Sequence, residues 1–134
     1  MTGKIFRSTL AASLTVLLAS LLVITGCLYT YFGTVREQQL QTELTLAAAA
    51  VEADGADYLA RVRDTAERLT WVASDGTVLY DNQNNVKKLE NHGNRPEVES
   101  AFDKGTGDSV RTSATMNSNT FYHAIKLNDG TVLR

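Results

Sequence analysis

From Ser8 to Val35 the chain runs 28 residues without a charged side chain, after a short head that carries Lys4 and Arg7. A helix needs about 20 mostly apolar residues to cross the hydrocarbon core of a bilayer. The spacing predicts a membrane-spanning helix over 8–32, with 1–7 as a head on one side and 33–134 on the other. Lys4, Arg7 and the amino terminus precede the apolar run, whereas Arg36 and Glu37 cancel just after it. The positive-inside rule then puts the head in the cytoplasm and residues 33–134 outside the cell membrane. Tyr29, Tyr31 and Phe32 cluster at the outer end, where aromatic rings favour the headgroup layer.

A second reading of the same segment starts at Ile24-Thr25-Gly26-Cys27, which resembles a bacterial lipobox. Cleavage before Cys27 would leave a lipid-anchored extracytoplasmic binding protein. Against it, Leu28 to Phe32 continue the apolar run where a lipid-tethered chain passes into a polar linker. A cleaved secretory signal fits less well, because the run exceeds the ~7–15 residues of a signal core. The uncleaved anchor is the preferred expectation.

The outer part, 33–134, is long enough for one small domain with its own core. The formal net charge is −2, with Lys and Arg scattered rather than striped, which gives no electrostatic footprint for nucleic acid. Cys27 is the only cysteine, so no disulfide forms within one chain.

Thr34 to Val51 reads as helix, free of proline and rich in Glu, Gln, Leu and Ala. It is expected to continue the membrane helix. Leu40, Leu44, Ala47 and Val51 make a short heptad seam, suited either to a partner helix in a homodimer or to the domain's own sheet. Gly55 interrupts the helix, and Asp57–Asp64 forms a short second one. From Arg68 the period changes to two. Leu69, Trp71 and Ala73 alternate with Thr70 and Val72, and Asp75-Gly76 then turns the chain into Val78-Leu79-Tyr80. The block Asp129-Gly130-Thr131-Val132-Leu133 repeats Asp75-Gly76-Thr77-Val78-Leu79 and predicts a second hairpin. Between them lie a polar loop, Asn82–Asn94, and a helix. Pro96 opens that helix, Glu97 and Glu99 suit its positive end, Val98, Ala101 and Phe102 form its apolar stripe, and Gly105 stops it. Strands are predicted over Ser109–Met116 and Thr120–Leu127, with Asn117–Asn119 as their turn, then a last strand at Thr131–Arg134. The fold class is α+β: a long helix, then a five-stranded antiparallel sheet with flanking helices. The chain stops inside its last predicted strand, as a fragment of a longer product would.

No catalytic set, metal cluster or cofactor motif emerges. His92 and His123 are far apart, no nucleophile stands in an elbow, and no glycine-rich loop follows a strand. The residues read as a binding or sensing module. Its most pointed cluster is His92, Arg95 and Arg111. Two of them flank a helix start, and an arginine fork there suits a carboxylate or phosphate of a small anionic ligand. The plainer alternative has Arg95 cap the helix or pair with Glu99 and leaves Arg111 solvated beside Ser113 and Thr115 on its strand face. His123 reads as a packed or edge histidine, Trp71 and Tyr80 as core. Tyr122 lines a pocket on the face opposite Phe121.

The run Arg68–Asp81 with its Trp71 and Asp75-Gly76-Thr77-Val78-Leu79-Tyr80-Asp81, the series His92-Gly93-Asn94-Arg95-Pro96-Glu97-Val98, the run Gly107–Ser113 and the head Lys4-Ile5-Phe6-Arg7-Ser8-Thr9-Leu10 resemble the anchor and extracytoplasmic sensor of bacterial sensor histidine kinases. The likeness is greatest to the phosphate-regulon, PhoR-type kinases. It implies a PAS-like, single-Cache type domain in a homodimeric membrane receptor. A second membrane helix would return to a HAMP-type relay, a phosphoaccepting helix pair and an ATP-binding domain, which act on a response regulator. None of those later parts is in this sequence. The residues after His92 are unlike a phosphoacceptor motif. In related sensors basic side chains near the helix and sheet hold ligand carboxylates, and His92, Arg95 and Arg111 occupy the comparable region. A third alternative keeps the same sensor on another output, such as a chemoreceptor or a nucleotide cyclase.

Overall fold

The computed structural model describes residues 2–63, 65–113 and 118–134, which fall into two compact units, one within Met1–Gln38 and one within Gln39–Arg134. A single helix, α1 (Thr2–Asp54), contributes to both. Its amino-terminal portion is long and apolar enough to cross a membrane, and none of the most apolar window is buried against other parts of the chain. Hydroxyls in this portion turn back onto helix carbonyls: Thr9 donates to Ile5 at 2.8 Å, Thr15 to Ala11 at 2.9 Å, Ser20 to Leu17 at 2.9 Å and Thr34 to Thr30 at 3.2 Å. A polar side chain in hydrocarbon has no water to bond, so satisfaction within the helix suits an apolar solvent.

The second unit is built on a five-stranded antiparallel sheet of β1 (Thr70–Val72), β2 (Val78–Asp81), β3 (Thr106–Ser113), β4 (Ser118–Lys126) and β5 (Val132–Leu133), in the order β2-β1-β5-β4-β3. The helices α2 (Ala56–Arg61) and α3 (Pro96–Lys104) complete it, with a single 3₁₀ turn at Val86–Lys88 inside the predicted polar loop. The sheet is covered on both faces. On one, Leu44, Ala47, Ala48 and Val51 of α1 and Leu59 of α2 meet Leu127 and Leu133, flanked by Leu69, Trp71, Tyr80 and Ile125. On the other, Val98 and Ala101 of α3 meet Val72, Ala124 and Val132, with Phe102 beside them. Alternation along each strand sends one set of side chains to each layer. Trp71 and Tyr80 are half-buried in the first layer. The Trp71 indole donates to Thr131 Oγ1 at 2.8 Å and the Tyr80 hydroxyl to the Leu59 carbonyl at 2.9 Å.

Both Asp-Gly blocks form hairpins, through one device. The Gly76 N–H bonds the Ala73 carbonyl at 2.9 Å and the Gly130 N–H bonds the Leu127 carbonyl at 3.0 Å, with both glycines at φ 84°. Each turn is thus a four-residue turn ending in a left-handed glycine, rather than a two-residue loop with both Asp and Gly at positive φ. Asp75 and Asp129 accept from the backbone of Thr77 and Thr131, both at 2.9 Å. The α3 helix starts at Pro96 and ends at Gly105 (φ 88°), as the sequence predicts. Gly107 lets it close on β3, since a methyl group there would strike the Glu97 carbonyl and lie 2.8 Å from Ser100 Cβ.

Several boundaries differ from the sequence reading, the strands at Thr120–Leu127 and Thr131–Arg134 becoming Ser118–Lys126 and Val132–Leu133. The β3 strand begins at Thr106, because Gly107 and Asp108 already pair with Ala124 and His123. The turn expected at Asn117–Asn119 is displaced, since Asn119 pairs with Thr112 and Ser118 with Ser113, and 114–117 lie outside the described residues. The second helix is shorter than Asp57–Asp64.

Three residues of the heptad seam pack inside the chain. Leu44, Ala47 and Val51 are 5%, 8% and 4% exposed, and the domain's own sheet and α2 cover them. Their shared helix face has one occupant already, and only Leu40 stays half-exposed. Leu46, two positions on from Leu44, is 66% exposed. Leu44→Ala is expected to lower stability by about 2–4 kcal/mol and Leu46→Ala by less than about 0.5 kcal/mol, read by urea unfolding of the whole chain in detergent micelles.

Candidate functional site

The face of the sheet beneath α3 is apolar at one end and polar at the other. Thr70 pairs with Asp81 across β1 and β2, and with Arg134 through reciprocal backbone bonds of 2.7 and 2.8 Å. One step further along β4 and β3, Tyr122 stands opposite Ser109. Strand alternation therefore turns Asp81, Thr70, Arg134, Tyr122, Ser109 and Arg111 to the face of the sheet on which α3 packs.

Glu97, the second residue of α3, points into this end and is fully buried. Its Oε1 accepts from Arg134 Nε at 2.6 Å, and its Oε2 from the Ser109 hydroxyl at 2.6 Å. Arg111 Nη2 reaches both oxygens at 2.9 Å. Two acceptor sites per oxygen are thus filled, the full capacity of a carboxylate. The Tyr122 ring lies against both guanidiniums, 4.6 Å from Arg111 and 4.3 Å from Arg134. Burial works against the Glu97 charge. The Ser109 hydroxyl, the residue's own N–H and the two guanidiniums outweigh it and hold the carboxyl below the usual range.

Asp81 is a second buried carboxylate, at the end of β2. Arg68 bonds it through Nε at 2.8 Å, the Thr70 hydroxyl at 2.9 Å, and the N–H groups of Gln83 and Asn84 at 3.0 and 2.7 Å. Burial again opposes ionisation, and Arg68, Thr70 and the two backbone donors overcome it.

His92 is 4% exposed and sits between these centres. Its backbone is fixed by an N–H bond to the Gly76 carbonyl at 2.8 Å, and its carbonyl accepts from the Arg95 N–H at 3.0 Å. Its Nδ1 has no partner. Burial, with Arg134, Arg95 and Arg68 nearby, pushes the imidazole below its ordinary pKa, while Asp81 pulls the other way. Arg95 caps α3 through its backbone, its carbonyl accepting the Glu99 N–H at 2.8 Å, and its half-buried side chain leaves Nε unpartnered. No ion pair joins Arg95 to Glu99 among the described residues.

The structure thus divides the proposed anion receiver. His92 and Arg95 stay together at the α3 start, with two buried nitrogens unbonded. Arg111 lies with Tyr122 instead, one-third exposed and paired with Glu97. Its neighbour on the strand face is Ser109. The Ser113 side chain and Thr115 lie outside the described residues. Sequence reasoning passed over Glu97, Ser109, Arg134, Arg68 and Asp81. A signal existed for one of them, because Ser109 stands two positions from Arg111 on one strand and so shares its face. His123 Nδ1 is in hydrogen-bond contact with Asp108 Oδ1 on the opposite face. Near it a mostly apolar cleft of about 460 Å³ opens, walled by Leu40, Leu44, Tyr58, Leu69 and Phe121. Among the described residues no cluster of His, Cys, Asp or Glu could hold a metal ion.

Glu97→Gln is expected to lower stability at neutral pH by about 3 kcal/mol, because Arg134 is left buried without its counter-charge. A carboxyl depressed in the folded state stabilises above its unfolded pKa of about 4.5, and that contribution disappears as pH falls through the folded value. The stability curves of wild type and Glu97→Gln should therefore converge in acid, measured by urea unfolding from pH 7 downward. For His92 the unfolded chain takes up the proton first, so stability falls as pH drops below 6.5. His92→Gln should flatten that part of the curve.

No protein-family model matches this chain, and neither does any curated protein or solved structure.

Proposed function

We propose that the chain is the membrane anchor and extracytoplasmic sensing region of a two-component sensor histidine kinase, with a PAS-like domain of single-Cache type. One observation carries the reading: the helix bearing the uncharged run also supplies Leu44, Ala47, Ala48 and Val51 to the core of the α+β domain. A change in how that domain packs is thereby covalently continuous with the anchor. The sequence likeness around Trp71, Asp75–Asp81 and His92–Val98 supports the kinase assignment. The five-stranded antiparallel sheet with flanking helices agrees with the fold that the likeness implies.

In this reading two copies pair in the membrane, and an outer event shifts their long helices relative to each other. Shifts of ~1–2 Å at helix interfaces are an ordinary means of transmission, and a ligand acts only through its differential affinity for the two states. With Leu44, Ala47 and Val51 engaged inside the domain, the pairing face of α1 is the exposed one that includes Leu46 and Ala49. Phosphotransfer belongs to the parent receptor's later domains.

The test uses single cysteines at Leu46, Ala49 and Glu43 in a Cys27→Ala background. Disulfide crosslinks at Leu46 or Ala49 in membranes, and labelling of Glu43→Cys on intact cells by an impermeant maleimide, are expected. Labelling only after permeabilisation would reverse the topology, and no crosslink in any signalling state would remove the paired-helix mechanism. Membrane retention should be unchanged by Cys27→Ala; its loss would point to the lipid-anchored alternative.

A further inference from the structure

The Glu97 carboxylate reaches its surroundings from α3, whereas every side chain that binds it stands on the sheet. Ser109 and Arg111 come from β3, and Arg134 follows β5. The backbones that carry these donors are fixed by bonds within the sheet. Arg134 is locked to Thr70 by two backbone bonds, Arg111 pairs with Thr120 across the β3–β4 ladder, and the Tyr122 ring holds both guanidiniums. Two guanidiniums on one ring repel each other, so the arrangement calls for an anion between them. A planar carboxylate fits, because the four hydrogen bonds divide equally between its two oxygens. The way in is on the Arg111 side: that side chain is 34% exposed, against 6% for Arg134 and none for Glu97.

We propose that Ser109, Arg111, Arg134 and Tyr122 form a receptor for a small carboxylate, and that Glu97 is its tethered resident. The native chain is thus self-liganded at this point and excludes free carboxylates from it. This holds whatever the domain reports to the cell. Glu97→Ala removes one methylene and the carboxylate, which are the atoms of acetate. Acetate should therefore re-fill the receptor in that variant, and larger acids should fit less well. Glu97→Gln keeps the space filled by a neutral amide and should leave no room.

The experiment is thermal unfolding of the whole chain in detergent micelles at pH 7, titrated with sodium acetate against sodium chloride of equal ionic strength. Acetate is expected to raise the midpoint of Glu97→Ala by about 5 °C or more and to leave wild type and Glu97→Gln unmoved. The rise should vanish in the Glu97→Ala, Arg111→Ala double variant. If Glu97→Ala is unfolded in chloride, recovery of its circular dichroism in acetate is the equivalent support. Equal effects of acetate and chloride, an equal shift in Glu97→Gln, or a Glu97→Ala chain that no acetate concentration restores while Glu97→Gln folds, would each overturn the proposal.

Discussion

A carboxylate shut off from water survives as an ion only when hydrogen bonds and opposite charge replace its hydration. Glu97 meets that demand, and its doing so organises half of the domain. The helix α3 must sit with its first turn against β3, which only the bare backbone of Gly107 allows. Arg134 must stay in line with Thr70, which places a charged side chain in the central lane of the sheet. Tyr122 must face α3, which sends Phe121 and His123 to the opposite side. Each is a statement about register. A slip of one residue in β3, β4 or β5 would turn its contribution away from the carboxylate. The ion pairs therefore discriminate between pairings, while the apolar layers supply most of the driving force.

Those apolar layers are unequal in kind. Beneath α3 the contacts are small: Val72, Val98, Ala101, Ala124 and Val132. Small side chains bring the helix near the sheet, which suits a short carboxylate arm. Beneath α1 they are larger, with Leu44, Leu59, Leu127 and Leu133 joined by Trp71 and Tyr80. Glu52 fastens the end of this helix by accepting the Asn128 N–H at 2.9 Å, so the Asp129-Gly130 turn is tied to it. Opposite ends of one sheet thus do different work. The turn end is pinned to α1, and the far end carries the charged layer against α3.

Local signals were legible in the sequence because the chain solves local problems with local residues. Pro96 and Gly105 bracket α3, Asp75-Gly76 and Asp129-Gly130 make the same turn, and Leu69, Trp71, Thr70 and Val72 separate onto two faces as period two requires. The uncharged run needed only counting. What the sequence hid depends on contacts between distant segments. Glu97 near a helix start satisfies the helix dipole equally well in water or in a core, so its burial has no local sign. Arg134 becomes a core residue only because β5 lies between β1 and β4. The seam at Leu40–Val51 carries the same spacing for a partner helix and for a sheet, and the burial of Leu44, Ala47 and Val51 inside the chain has no local sign. For His92 and Arg95 the sequence found the place, and for Arg111 it found the strand face but not the partner.

The half-buried Trp71 is the chain's only tryptophan. It stands in the layer where α1 rests on the sheet, with its indole N–H held by Thr131 in the last hairpin. Its ring thus touches the seat of the helix, and its nitrogen touches the turn that the end of that helix grips. The domain carries, without any added dye, an intrinsic emitter at the joint between helix and sheet.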